Sequence, residues 1–488
     1  MDIDCICLKP GMKTTTKKGG ILTVIDEDRL CYKVQSDYDN SKGVRTLSKQ
    51  LILEFINYVK KNPKISSPSE VRDALKGTTD TDLFEYGYAS TLLPLALLSI
   101  ENEKKLGNTY SQNTELAAAI KENHGEYIPY IAAIRTKPFI LLAGLSGTGK
   151  SRIVRELARA CWPVNNTNRT AQVPENFSMI PVKPNWHDSS ELIGYRSSYG
   201  GDHFVTGDFL RSIAKAWEKP TVPYFVCLDE MNLAPVEQYF AEYLSVIESR
   251  TAHSDGTIKT DPILRKTDTT WYSALTAELT SDEDLRKQFN TEGITIPPNL
   301  TVIGTVNMDE TTYAFSRKVL DRAMTIEMNQ VNLKAGLGEP ASKLPDLCVP
   351  GFLNGKWLRA EDVYENGNDM EKESLQAVLE WLEQINSQLE GTPFKIAYRT
   401  RNEVIIYVIQ SESLGKNRLT AFDEAVNMKI LPRIEGDKNK VGDVLAKLKD
   451  FLEKLYSENG NNDKSASLDK LEEMSRKMGR QHYCTYWS

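Results

Sequence analysis

Eight consecutive residues constrain this chain more than any others. Gly144-Leu145-Ser146-Gly147-Thr148-Gly149-Lys150-Ser151 fit the pattern G-x-x-x-x-G-K-[ST]. An apolar run at 139–143 precedes them and a helix-forming stretch at 152–160 follows, so the loop joins a strand to a helix. In that setting Gly144, Gly147 and Gly149 let backbone N–H groups, those of Ser146 and Thr148 included, curl around phosphates. The helix N-terminus adds partial positive charge, Lys150 reaches the β- and γ-phosphates, and Ser151 offers an oxygen to Mg²⁺.

Four apolar runs, at 139–143, 177–182, 224–228 and 300–305, predict strands of a parallel sheet covered by helices on both faces. The expected class is therefore α/β. Two of these runs end in polar residues that suit a phosphate site. Tyr224-Phe225-Val226-Cys227-Leu228 delivers Asp229 and Glu230, one acid to hold Mg²⁺ through water and one to polarise an attacking water. The run from Leu300 ends in Gly304-Thr305-Val306-Asn307, whose amide either orients the water or γ-phosphate or caps the following turn.

The order of loop, Asp-Glu strand and strand-Asn, followed by a helical region, resembles an AAA+ ATPase. More narrowly, Pro184-Asn185-Trp186-His187-Asp188, Leu228-Asp229-Glu230-Met231-Asn232 and Gly304-Thr305-Val306-Asn307-Met308 resemble the McrB-type branch, the nucleotide-driven motors of modification-dependent restriction systems. The resemblance spans roughly residues 130–435. It implies a Mg²⁺-dependent NTPase assembled as a ring, a hexamer, with a separate nuclease partner, since neither a P-D-x(n)-E-x-K nor an H-N-H arrangement occurs here. After Asn307 the chain departs from McrB, reading Met308-Asp309-Glu310-Thr311 where an Asp-Arg-Ser type element belongs. ATP is accordingly favoured, with GTP the alternative, and the alternatives to a motor driving DNA translocation or a partner nuclease are a MoxR-like protein-remodelling chaperone or a nucleotide-gated scaffold.

By the same resemblance, Arg317 or Arg322 supplies the finger that enters a neighbouring subunit's site, unless Asp321 and Arg322 form an intrachain pair. Arg399 and Arg401, in Tyr398-Arg399-Thr400-Arg401, occupy the place of a lid arginine that turns back to the nucleotide. The loop between Asp188 and Asp208 carries Tyr195, Tyr199 and Phe204, which either face a ring channel or pack beneath the loop. The polar stretch 250–298, with Trp271 and Tyr272, is the candidate for a second substrate-facing hairpin.

The boundaries expected are 1–110 for an N-terminal recognition or adaptor domain of α+β type, 111–335 for the nucleotide-binding core, 336–456 for a helical lid and 457–488 for a tail. Residues 101–113 read as a linker or domain boundary, and 457–467, rich in Asn, Gly and Ser, as a mobile segment. The net charge of −7 excludes a generally basic nucleic-acid binder, so any DNA contact is local, in the ring channel or at Lys9, Lys13, Lys17 and Lys18. The seven cysteines have no zinc-ligand spacing. No apolar run is long enough to span a bilayer and no secretory signal is visible, which leads to the expectation of a cytoplasmic protein without membrane partners.

Overall fold

A computed structural model describes residues 8, 12–15, 21–27, 31–36, 44–61, 68, 89–199, 201–252, 257–308, 313–329, 344–460 and 463–487. The chain divides into two compact units, Met1–Thr114 with His253–Thr257, and Glu115–Ala252 with Ile258–Ser488. Labels number selected elements in chain order, α5 being Asp208–Glu218 and α7 Ala360–Asn366.

In the first unit, β1 (Lys13–Thr15), β2 (Ile21–Glu27), β3 (Cys31–Ser36) and β4 (Val44–Ser48) form an antiparallel sheet in sequential order. Helix α1 (Lys49–Lys61) repeats apolar residues every third or fourth position, so Ile52, Phe55, Ile56 and Val59 lie buried together with Val24, Val34 and Leu47. Of the basic candidates only Lys13 is described. Lys9, Lys17 and Lys18 fall outside the described residues. Helix α2 (Ala89–Asn123) runs unbroken through 101–113, where a linker or domain boundary is expected, and the division between the two units falls just beyond, after Thr114. The polar run Glu101-Asn102-Glu103-Lys104-Lys105 suits a helix as well as a linker, and composition alone does not separate the two.

The second unit begins with the end of α2 and with α3 (Ile128–Thr136), and is built around a five-stranded parallel sheet. Its strands are β5 (Phe139–Gly144), β6 (Phe177–Pro181), β9 (Tyr224–Asp229), β10 (Leu300–Asn307) and β11 (Met324–Glu327), with β7 (Gly194–Ser197) and β8 (His203–Thr206) forming a separate hairpin. The sheet order is β11-β5-β10-β9-β6. Alternate residues of β5 enter opposite cores: Ile140 and Leu142 join one apolar cluster, Phe139, Leu141 and Ala143 the other. Burial on both faces is why the strand reads as a continuous apolar run.

The first of those clusters does not stop at the sheet. It continues through α8 (Asp369–Gln388), α9 (Tyr398–Ser413) and α11 (Lys438–Glu458) into α12 (Ala466–Gln481). The lid and tail expected as separate segments are thus packed on one face of the sheet, and the expected boundary at 335 lies outside the described residues. Within the expected tail, Ala466–Gln481 is a helix. Asp423, on α10 (Arg418–Lys429), accepts from the Ser465 hydroxyl at 2.6 Å and the Ser467 amide at 3.2 Å, and Leu471, Met474 and Met478 of α12 are buried. At roughly 2 kcal/mol per buried Leu or Met, three such side chains hold down a helix that would fray alone.

Two further expectations are corrected. Strand β11, only four residues long, was not legible, yet it pairs with β5 along Met324↔Ile140 to Glu327↔Ala143. Within 250–298, Trp271 and Tyr272 face the core: Trp271 stacks on Phe204 at 5.4 Å between ring centroids and Tyr272 bonds the Phe289 carbonyl. Aromatic area of that size is worth more buried than on a surface hairpin.

Candidate functional site

The phosphate-loop motif occupies the turn from β5 to α4 (Lys150–Ala160). Its glycines have separate causes. Gly147 and Gly149 sit at φ 81° and 87°, the left-handed region where any side chain is strained. Gly144 has ordinary dihedrals, but a Cβ there would stand 2.7 Å from the Met328 carbonyl oxygen, where the chain leaving β11 crosses the loop. No side chain caps the N-terminus of α4, which leaves its first amides pointing into the loop. The buried Lys150 ammonium lies folded over the loop, donating to the carbonyls of Gly144 at 3.0 Å and Leu145 at 2.6 Å.

Sheet order brings the acids to this loop. β10 lies between β5 and β9, with Asn307 in register with Gly144 and Gly304 with Leu228. Consequently the ends of three strands converge. The Ser151 hydroxyl donates to Asp229 Oδ1 at 2.7 Å, and the Thr305 hydroxyl donates to the same oxygen at 2.9 Å. Thr305 Oγ1 also accepts from the Glu230 amide at 2.9 Å, and Asn307 Nδ2 donates to Glu230 Oε1 at 3.3 Å. Glu230 adopts φ 53°, ψ 52°, a left-handed conformation a non-glycine residue holds only when its surroundings impose it. Gly304 leaves room for the residue that follows Glu230, since a Cβ at Gly304 would collide with Met231 Sδ at 2.3 Å.

Sequence reasoning selected Ser151, Asp229, Glu230 and Asn307, and all four meet here. It missed Thr305, whose role depends on strand register, and Asn329, whose Oδ1 accepts from the Leu145 amide at 3.0 Å. Position two residues past an unrecognised strand left Asn329 without a signal.

The AAA domain (dynein-related subfamily) family matches residues 139–323, the span from β5 to the turn before β11. Those residues are an AAA+ domain. Such domains bind and hydrolyse nucleoside triphosphates, and the fold, with its parallel sheet and helical C-terminal region, agrees. A second match, to a domain of unknown function (DUF8727), covers residues 345–483. Among solved structures, a candidate ATPase from Cytophaga hutchinsonii is 15% identical and overlaps 68% of this chain and 90% of its own, at a TM-score of 0.37. No curated protein matches the chain.

The described partners of the four candidate arginines lie outside the loop of the AAA+ domain. On α6 (Arg317–Leu320), Arg317 donates to the Pro393 carbonyl at 3.1 Å and lies 5.2 Å from the Phe394 ring centroid. Arg322 donates to the Lys318 carbonyl at 2.7 Å, and Asp321 pairs with Arg433 at 3.1 Å rather than with Arg322. The two lid arginines expected at the nucleotide are held elsewhere: Arg399 by Glu248 at 2.6 Å, and Arg401 by Glu361 at 2.5 Å. A nearby carboxylate is the stronger partner for a guanidinium while no phosphate competes.

Beneath α6 runs a buried charge chain. Lys429 donates to the carbonyls of Leu320 and Ala323 at 3.2 and 2.7 Å and pairs with Glu403 at 2.5 Å, while Lys137 bridges Glu403 at 2.7 Å and Glu248 at 2.6 Å. Burial pushes the Glu403 carboxyl up, but Lys137 and Lys429 outweigh it and hold it below its ordinary value. At the β7–β8 hairpin, Tyr199 is 92% and Tyr195 52% exposed, whereas Phe204 packs on Trp271. Among the described residues no helix is long and apolar enough to cross a membrane.

Proposed function

We propose that the chain is a Mg²⁺-dependent NTPase, ATP before GTP, acting as a McrB-like motor in a ring. Hydrolysis would be coupled to DNA translocation or to the activation of a separate nuclease. The observation that carries the reading is the bonded convergence of Ser151, Asp229, Thr305, Glu230 and Asn307 beside the loop. Loop amides and Lys150 bind the phosphates, and Lys150 exchanges its two carbonyl partners for phosphate oxygens. One hydroxyl and one carboxylate, Ser151 and Asp229, fit Mg²⁺, which takes few protein ligands and fills its remaining positions with water and phosphate oxygens. When bound, the ion neutralises charge building on the phosphate oxygens. Glu230, aimed by Asn307 and the Thr305 bond, orients and polarises the attacking water. Arg317 or Arg322 of a neighbouring copy supports the transferred phosphoryl.

The exposed Tyr195 and Tyr199 support a gripping role for the hairpin. They suit a polypeptide as well as DNA, and together with the dynein-related match they favour the second reading, a MoxR-like machine that remodels a protein partner. Hydrolysis of ATP and GTP with and without duplex DNA, alongside the mass of the nucleotide-bound assembly, separates the two. DNA-stimulated turnover supports the motor. Turnover indifferent to DNA supports remodelling, and turnover that persists unchanged in both Lys150→Ala and Glu230→Gln refutes the site.

A further inference from the structure

Helix α6, only four residues long, carries Arg317 at its start and is followed directly by Arg322. A helix of one turn is not stable by itself, so whatever aims these two guanidinium groups must come from outside the segment. The support comes from beyond residue 323, where the matched AAA+ span ends. Lys429, the last residue of α10 and 1% exposed, donates to the carbonyls of Leu320 at 3.2 Å, Asp321 at 3.3 Å and Ala323 at 2.7 Å. A cation in this place satisfies carbonyls that a helix C-terminus leaves without partners. One turn further on, Arg433 pairs with the Asp321 carboxylate at 3.1 Å. Asp321 is thereby kept from its sequence neighbour Arg322, whose Nε has no hydrogen-bond partner among the described residues. On the other side of α6, Phe315 packs on Trp487 at 5.2 Å between ring centroids, and Trp487 Nε1 donates to the Pro432 carbonyl at 3.1 Å.

Helix α9 braces this grip. Glu403 pairs with Lys429 at 2.5 Å, and the Thr400 hydroxyl accepts from Arg433 at 3.3 Å. None of these described contacts goes to the phosphate loop, Asp229, Glu230 or Asn307. The grip therefore acts on the arginine-bearing segment and leaves the chain's own phosphate site as it is.

Resting on the shared-site reading above, we infer that Lys429 and Arg433 are positioning residues for the arginine finger. The helical region matching the domain of unknown function, residues 345–483, thus sets hydrolysis in the neighbouring copy rather than in its own.

The test uses the full chain, with variants mixed before MgATP is added. Lys429→Met removes the charge, keeps the side chain's length and leaves Glu403 paired with Lys137. Alone it should lower turnover about 10–100-fold, the scale of a catalytic group displaced by about 1 Å, with MgATP affinity within about twofold. Mixed in equal amounts with Glu230→Gln, which is inactive but keeps its finger, it should recover to about a quarter of the original rate, because about one interface in four joins an intact Glu230 to a well-placed finger. Mixed with the inactive arginine variant, Arg317→Ala or Arg322→Ala, it should not recover, since neither protomer then supplies such a finger. A residue that supports only its own chain's site gives the reverse, recovery with the arginine variant and none with Glu230→Gln. Arg433→Met should follow the same pattern from a loss of about fivefold, and it carries the test if Lys429→Met does not fold. Arg433→Lys keeps the charge facing Asp321 and should stay within about twofold of the original. The reverse pattern, recovery in both mixtures or in neither, or unchanged turnover in both Lys429→Met and Arg433→Met overturns the proposal. If Glu230→Gln and the arginine variants do not restore one another, the shared-site reading itself fails and this inference falls with it.

Discussion

Thr305→Val tests the geometry of the site more sharply than removal of Lys150 or Glu230. Valine keeps the shape of threonine and removes one hydroxyl. That hydroxyl makes two bonds of 2.9 Å, donating to Asp229 and accepting from the Glu230 amide. Asp229 keeps Ser151 at 2.7 Å, so the metal-side contact survives. The Glu230 amide loses its partner, at a cost of roughly 1–2 kcal/mol for a part-buried donor. The same bond helps to hold Glu230 at φ 53°, a left-handed conformation that costs about 1–2 kcal/mol for a residue with a Cβ. With the restraint gone, the chain relaxes by a similar amount toward conformations that take the carboxylate away from Asn307. A shift of that size is a factor of about 5–30 in population. We expect kcat for MgATP hydrolysis to fall about 5–30-fold with KM within about twofold, because the two described bonds of the Thr305 hydroxyl go to Asp229 and to the Glu230 amide. Thr305→Ser, which retains the hydroxyl, should stay within about threefold of the original. Steady-state phosphate release on purified variants with matched melting curves measures this. An unchanged kcat in Thr305→Val, or equal losses in Val and Ser, would refute the reasoning.

Three other outcomes are expected. Lys150→Ala and Glu230→Gln should each abolish turnover while shifting the melting midpoint little, since Lys150 bonds to loop carbonyls and Glu230 lies at the sheet's end. In the proposed ring, an arginine variant and Glu230→Gln, each inactive alone, should recover activity when mixed. With half of each protomer, about one interface in four pairs an intact Glu230 with an intact arginine, so about a quarter of the original rate is expected for whichever of Arg317→Ala and Arg322→Ala removes the finger. No recovery for either at any ratio would exclude a shared site. Glu403→Gln should cost on the order of 3 kcal/mol at neutral pH by leaving Lys429 buried without its carboxylate. The pH dependence follows from the depressed carboxyl: folded Glu403 ionises below its ordinary 4.5, so its contribution is present above 4.5 and is lost as pH falls through the lower folded value. Denaturation of the original protein should therefore steepen below about pH 4.5 relative to Glu403→Gln, and parallel curves would remove Glu403 from that role.

Local chemistry made much of the site legible. A loop that must curl its amides around phosphate needs glycine where φ is positive, as at Gly147 and Gly149, and a strand buried on both faces must be apolar throughout, as at β5, β9 and β10. Those requirements act over a few residues and leave a pattern in the chain. Thr305 was not legible because its use depends on which strand lies beside it: β10 is inserted between β5 and β9, although β9 precedes it in sequence. β11 escaped notice because four residues at a sheet edge carry little pattern, and with it went Asn329. For α12, scattered apolar residues in a polar segment read as a tail until the cluster that buries Leu471, Met474 and Met478 is assembled.

Thus the sequence alone determined the phosphate loop, the two acids and the α/β class, since each is a demand that neighbouring residues make on one another. Only the tertiary structure decided that Arg399 and Arg401 pair with Glu248 and Glu361, that Trp271 belongs to the core, and that the last helix packs on one face of the sheet. Those outcomes turn on competition among partners far apart in the chain, and burial and charge decide such contests only after the strands have taken their order.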